Sequence, residues 1–297
     1  MTFPGFVWRF KTLPMSRKLL VLAFGAVFTM AAVVGMHDAW AVKLTLKRVI
    51  FEGTKRTESL TVINNTADKQ VFRLAFKSMR MSEENALIDV AETDPEYATL
   101  KTADKMIVFA PRRIEIPAGG SQQIRLMLRK PKDLEAGEYR SHLWINPEKE
   151  SVKFEPNPNA SKDKPEIQIK MLAGISVPVF VRHGNVTATV SLSDIKAVKN
   201  NNNNNIIVSL VINREGNRSV YGDFDFVCTG GGAEIIAYQL RGIAVYTEVE
   251  KRNMRFAVPV PKDGAQACKT MRVIYTADTN DVLFRGAKMA EATVTLP

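Results

Sequence analysis

Cysteine and histidine are scarce in this 297-residue chain: there are only Cys228 and Cys268, and His37, His142 and His183. Two thiols cannot build a zinc cluster or a multi-bridge scaffold, and three scattered histidines offer little to a His-based metal site or a Ser-His hydrolase. The motifs of common chemistries are missing as well, with no G-x-S-x-G, no H-E-x-x-H, no P-loop and no G-x-G-x-x-G. Gly230-Gly231-Gly232 lacks the Lys and Ser/Thr that complete a phosphate loop and reads as a turn. Carboxylate pairs such as Glu83-Glu84 sit in solvated contexts, and His142, beside Leu143-Trp144 on a predicted strand, reads as a packed or surface residue. The chain is therefore not expected to be an enzyme, and neither a metal nor a cofactor is expected.

Lys and Arg total 41 against 31 Asp and Glu, a net charge of +10, but the basic residues are dispersed. A nucleic-acid face needs a basic stripe, so no nucleic-acid partner is expected. Apolar residues make up 45% and charged residues 24%, an ordinary globular composition, and the length suggests about two domains.

One long apolar run is present. Arg17-Lys18 precede the 18 residues Leu19–Met36, and Ala39-Trp40-Ala41 follow shortly after. Basic, apolar and small-x-small in that order read as a secretory signal, with cleavage after Ala41 and Met15 as a candidate start. Such a run can nearly span a bilayer, so an uncleaved anchor is the rival reading. The Ala-x-Ala end and the strand-like sequence right behind it favour cleavage, which leaves no stable membrane anchoring. Removing residues 1–41 takes away Arg9, Lys11, Arg17, Lys18 and Asp38 and lowers the net charge to +7. Export places both cysteines in an oxidising compartment. Their 40-residue spacing permits a disulfide; two buried thiols acting as small apolar side chains are the alternative.

Beyond the signal, apolar residues alternate with a period of two, the mark of half-buried strands. Val42, Leu44 and Leu46 begin it, followed by Leu60 and Val62, then Phe72, Leu74 and Phe76. Ile107–Phe109, the set Ile124, Leu126 and Leu128, and Tyr139–Ile145 continue the pattern. The last strand of this half takes in Ile167, Ile169 and Met171, then Ile175, Val177 and Val179. Residues 80–104 break the alternation and read as a long connection with one or two helical turns at most. Residues 151–165, with Pro156, Pro158 and Pro165, read as a loop leading into the last strand. After Arg182-His183-Gly184-Asn185 a second set of strands is predicted near 186–192, 206–212, 220–228, 233–238, 243–249, 253–260, 270–276 and 288–296. The six asparagines Asn200–Asn205 read as an exposed hairpin tip. The fold class is thus all-β, with two immunoglobulin-like β-sandwich domains, 42–183 and 184–297, behind a signal at 1–41.

Several segments carry a family likeness. Arg48-Val49-Ile50-Phe51-Glu52-Gly53 and Leu60-Thr61-Val62-Ile63-Asn64-Asn65 open the mature chain. Phe109 to Gly119, Gly137-Glu138-Tyr139-Arg140-Ser141-His142-Leu143 and Pro178-Val179-Phe180-Val181-Arg182 follow. Together they resemble the PapD-like family of periplasmic pilus and fimbrial assembly chaperones, in its divergent archaic or alternative branch. The likeness covers residues 42 to about 183; the second domain matches in length and β character only.

The resemblance implies an L or boomerang of two sandwiches in the periplasm. It implies pilus or fimbrial subunits and an outer-membrane usher as partners. A strand is donated to a subunit that lacks its own last strand, a documented mode of strand addition. Carried over, the donor strand is Ile167, Ile169, Met171, Ile175 and Val177, Arg48 anchors the subunit's terminal carboxylate, and Arg182 lies at the interdomain junction. The family's second anchor, a lysine two residues before a Phe, is Pro178 here, so that anchor is missing, moved, or replaced by Lys170 or His183. The family's glutamate on the sixth strand is Arg140 here, with Glu138 as a substitute. The competing function is a secreted two-domain immunoglobulin-like binding or adhesion module without an assembly role, which predicts a covered or charged last strand and no cleft arginine.

Overall fold

The computed structural model describes residues 42–84, 86–148, 173–200, 205–229, 234–259 and 268–297, and Val42–Pro297 forms one compact unit. The signal expected at 1–41, Ile167, Ile169, Lys170, Met171, the loop expected at 151–165 and the turn expected at Gly230–Gly232 lie outside the described residues.

The chain is all-β and builds two immunoglobulin-like sandwiches. The first uses β1 (Val42–Leu44), β2 (Val49–Phe51), β3 (Thr57–Asn64), β4 (Gln70–Met81), β5 (Leu87–Val90), β6 (Ile107–Ala110), β7 (Arg113–Ile116), β8 (Ser121–Leu128), β9 (Gly137–Pro147) and β10 (Ile175–His183). One sheet has the order β1-β3-β8-β6; the other runs β2-β10-β9-β4-β5, with β7 also on β4. Strand β8 shows why these segments are strands: Ile124, Leu126 and Leu128 are buried, while Arg125 and Met127 between them are exposed. With Leu60 and Val62 of β3 they face Leu74, Leu143, Ile145, Val177, Val179 and Val181 of the opposite sheet. Each such side chain contributes roughly 1.5–3 kcal/mol by leaving water.

The second sandwich uses β11 (Ala188–Lys199), β12 (Asn205–Gly216), β13 (Val220–Thr229), β14 (Ile235–Val245), β15 (Lys251–Pro259), β16 (Thr270–Ala277) and β17 (Lys288–Thr295). Its sheets are β11-β12-β15 and β14-β13-β16-β17. Phe224, Phe226, Phe256 and Tyr275 centre its core, Phe224 stacking on Tyr275 at 4.4 Å. The Tyr275 hydroxyl donates to the Ile243 carbonyl at 2.7 Å, so its polar tip is satisfied inside the core. Cys228, at the end of β13, is bonded to Cys268, just before β16. The Asn200 N–H donates to the Asn205 carbonyl, closing the β11–β12 hairpin at the asparagine run.

Three expectations need correction. Residues 80–104 are not only a connection: β4 continues to Met81 and pairs with β5, and two short 3-10 turns, Pro95–Thr99 and Asp104–Met106, follow. Only Val90 of β5 is buried, so its sequence carries no alternation to read. The opening strand is really two: it crosses between sheets over Thr45–Arg48, β1 pairing with β3 and β2 with β10. Finally, the strands predicted near 233–238 and 243–249 are one strand, β14, which continues through Gly242 at φ +80° and register shifts against β13. Only glycine adopts that backbone freely, which is why the position looked like a break.

Candidate functional site

Two neighbouring features form the site: one edge of β10, and the charged junction between the sandwiches. Strand β10 pairs with β9 over its whole described length, from Ile175↔Ile145 to His183↔Gly137. On its other edge it pairs in parallel with β2, but only at Val179↔Val49, Phe180↔Ile50 and Val181↔Phe51. Among the described residues the edge of Ile175–Pro178 has no strand partner. Arg48 immediately precedes β2 and so stands at the border between the covered and the open parts of the edge. Gly174 lets the chain enter β10 close to Trp144; a Cβ there would lie 2.6 Å from the indole Cζ2.

The odd residues of β10 point into the first sandwich. Val177 is 1% exposed and Val179 and Val181 are fully buried, while Ile175 packs partly buried against the same core. Of the donor-strand residues expected from the sequence, Val177 fills this chain's own core and Ile175 is partly buried against it. Among the even residues, Phe180 packs into the second sandwich's core against Tyr246, with ring centroids 5.9 Å apart.

Strand β9 has the same two-faced burial, and its even residues carry the junction chemistry. Glu138 is 2% exposed. Its Oε1 accepts from the Ser219 N–H at 3.1 Å and from the Ser219 hydroxyl, and its Oε2 accepts from Arg182 Nε at 2.8 Å. Arg182 Nη1 also donates to Glu52 Oε2 at 3.0 Å, and Glu52 Oε1 meets Arg218 Nη1 at 3.4 Å. Arg218, fully buried, donates to Asp281 Oδ2 at 2.8 Å. Burial works against the Arg182 charge, but Glu138 and Glu52 outweigh it and raise its pKa above the ordinary value. Arg182 is bound to two first-sandwich carboxylates, Glu138 and Glu52, that second-sandwich residues also grip.

Arg140 extends this network. Its Nη2 donates to the Met79 carbonyl and to Glu248 Oε2, both at 2.8 Å, and its Cζ lies 3.7 Å from the Tyr246 ring centroid. The loop carrying Tyr246 and Glu248 is held by Arg214, which donates to the Val249 and Thr247 carbonyls. His142 is 1% exposed, with Nε2 3.4 Å from Arg140 Nη1 and no hydrogen-bond partner on Nδ1. Burial first, and the Arg140 charge second, push its pKa down to about 3, so it is neutral at ordinary pH.

Arg48 lies at the edge of this junction with its side chain 10% exposed. Its guanidinium covers the Tyr221 ring, Cζ 3.7 Å from the centroid, and its Nη2 is 3.3 Å from Asp278 Oδ2. Its Nη1 is buried without a hydrogen-bond partner. A cleft of about 330 Å³ elsewhere, against β4 and β5, is lined by Phe76, Lys77, Asp89, Tyr97 and Asp104, but Lys77 is already paired with Asp89 at 2.6 Å. Among the described residues no three His, Cys, Asp or Glu side chains gather as a metal site.

No family model matches the chain, and no curated protein matches it. Solved structures do. In fold, the chain is similar to fimbrial chaperones. The E. coli chaperone DraB is 13% identical, with 86% of this chain and 96% of that chain covered at a TM-score of 0.41. The Pseudomonas aeruginosa CupB2 chaperone is 10% identical, covering 86% and 100% at 0.41. A chain of the Salmonella enterica SafA pilin–SafB chaperone complex is 14% identical, covering 88% and 98% at 0.40.

The sequence singled out Arg48, Arg182 and Glu138, and all three lie near the junction. It missed Glu52, Tyr221, Glu248, Asp278, Arg218 and Asp281, because a polar residue buried between two sandwiches leaves no periodic trace. One weak signal was available: Arg214-Glu215-Gly216-Asn217-Arg218 places two arginines about a turn, and both prove buried.

Proposed function

We propose that this chain is a periplasmic assembly chaperone that captures pilus or fimbrial subunits by lending them a strand, and hands them to an outer-membrane usher. The observation that carries this reading is the edge of β10, which before Val179 has no strand partner among the described residues and is bordered by Arg48. Unpaired N–H and C=O groups on an edge are a template for another strand. Strand β2 already runs parallel to β10 on that edge. A client strand laid parallel along Ile175–Pro178 would be in line with β2, and its C-terminus would arrive at Arg48. An antiparallel client would bring its N-terminal ammonium there and be repelled. Arg48, with a buried unpartnered Nη1, thus favours the parallel orientation and a client ending in a carboxylate.

In this reading residues 42–183 form the donating domain and 184–297 the second wall of the junction. With Val177 spent internally, affinity falls to Ile167, Ile169 and Met171, which share the odd parity of Ile175. Three such side chains would supply about 5–9 kcal/mol before ordering costs. An Arg–carboxylate bond adds about 1.5–3 kcal/mol. The donated strand therefore dominates affinity, and Arg48 sets direction and register. A binding or adhesion module with no assembly role would have its last strand covered; β2 covers three residues of β10.

The test compares two substitutions of one strand. Ile169→Asp should abolish recovery of strand-incomplete subunits from periplasmic extract while leaving the unfolding midpoint unchanged. Val177→Asp should unfold the first sandwich. Wild-type recovery of subunits by the Ile169 variant would overturn the donor assignment.

A further inference from the structure

Arg182, Arg218 and Arg140 each close one carboxylate contact to 2.8 Å, with acid side chains between 1% and 16% exposed, and the Glu52 contacts of Arg182 and Arg218 at 3.0 and 3.4 Å come in addition to these. Arg48 has no such close contact among the described residues. Arg48–Asp278 stands at 3.3 Å, and the Asp278 side chain is 30% exposed. Arg48 keeps one guanidinium nitrogen buried and unpartnered, although a planar guanidinium can grip a carboxylate with two.

Asp278 is not needed to hold Arg48, which rests on the Tyr221 ring. Nor does the turn that presents Asp278 depend on Arg48. Its Oδ1 accepts from the Asn280 N–H at 2.8 Å, and the same loop is pinned by the buried Arg218–Asp281 pair and by Asp281 Oδ1 accepting from the Leu283 and Phe284 N–H groups. The loop thus offers a partly exposed carboxylate oxygen to an arginine that can accommodate a better one.

We propose that Asp278 is an internal stand-in for the client's terminal carboxylate: it neutralises Arg48 in the empty protein and is displaced when a strand ending in a free carboxylate arrives. The inference rests on the strand-donation reading and adds a competitor to the same site. It makes Asp278 a residue that sets affinity and selectivity, since only an anion that engages Arg48 better than one loosely held aspartate can replace it. An amide end offers no charge and leaves Asp278 in place.

The experiment uses the full exported protein and two synthetic peptides of one alternating Val/Thr sequence, one ending in a free carboxylate and the other in a carboxamide. Binding is measured by calorimetry for wild type, Arg48→Gln, Asp278→Asn and Asp278→Ser. Both Asp278 variants keep an acceptor for the Asn280 N–H, so the turn survives. The carboxylate peptide should bind the Asp278 variants about two- to fivefold more tightly than wild type, the gain expected from removing a partly exposed ion pair. The carboxamide peptide should show no gain, and adding Arg48→Gln should abolish the gain. If wild type prefers the carboxylate through Arg48 but the Asp278 variants leave the carboxylate-to-carboxamide ratio unchanged or lower it, Asp278 is structural and the inference alone fails. If wild type shows no preference, or Arg48→Gln does not remove it, the anchor reading falls and the inference with it.

Discussion

Acid should attack this protein through His142. The imidazole is buried on the junction face of β9, against Arg140, with the Tyr246 ring centroid 6.2 Å away and Lys77 and Pro178 across on the neighbouring strands. Burial and the Arg140 charge hold its pKa at about 3 against an ordinary 6.5. Above pH 6.5 the ring is neutral whether the chain is folded or not, and its full contribution to stability is present. As the pH falls below 6.5 the unfolded chain binds a proton that the folded chain refuses until about pH 3. Stability therefore declines across that window by up to about 1.4 kcal/mol per pH unit. Between pH 6 and pH 4 the loss integrates to about 2.5 kcal/mol. Urea unfolding at the two pH values, on wild type and on His142→Gln, isolates this part, because the carboxylates titrate alike in both proteins. Wild type should lose about 2.5 kcal/mol more than the variant over the interval. An equal loss in the two proteins would mean that His142 is protonated in the fold or hydrated there, and the account of a dry junction would be wrong.

Other substitutions test the junction and the second core. Glu138→Ala leaves Arg182 buried with Glu52 as its remaining carboxylate and strips Ser219 of its acceptor. It should destabilise by about 3–5 kcal/mol in urea titration, and adding Arg182→Met should recover part of that; a loss under about 1 kcal/mol would contradict the pairing. Replacing Cys228 and Cys268 together by Ala opens a loop of sequence separation 40. Chain entropy puts the cost at about 4 kcal/mol, and equal unfolding midpoints for the variant and the oxidised wild type would refute it.

What could be read in the sequence followed the physics of one-sided burial. Ile124, Leu126 and Leu128, or Val208, Leu210 and Ile212, alternate because water lies on one face of their sheets, and those strands were legible. Strands β9 and β10 were harder. Residues 140–143 and 179–182 are buried on both faces, one by the first sandwich and one by the second, and the second face is built from Glu138, Arg140, His142 and Arg182. A charged residue in a sequence gives no sign of whether water or a partner surrounds it. Arg48 was legible only through a resemblance, and its neighbours Tyr221 and Asp278 come from strands and loops more than 170 residues away. Val177 shows the converse limit. Period two ranks it as one more strand residue, and only the packing shows that its side chain is spent inside the first sandwich.

The most direct test asks where a client strand ends. A peptide with a free C-terminal carboxylate would carry a nitroxide on its penultimate or its second side chain, and be added in turn to isotope-labelled protein. Relaxation enhancement should broaden Tyr221 and Asp278 when the label is near the C-terminus and spare them when it is near the N-terminus. Broadening in the reverse order, or none in the neighbourhood of Arg48 with either label, would contradict the proposed parallel addition along Ile175–Pro178.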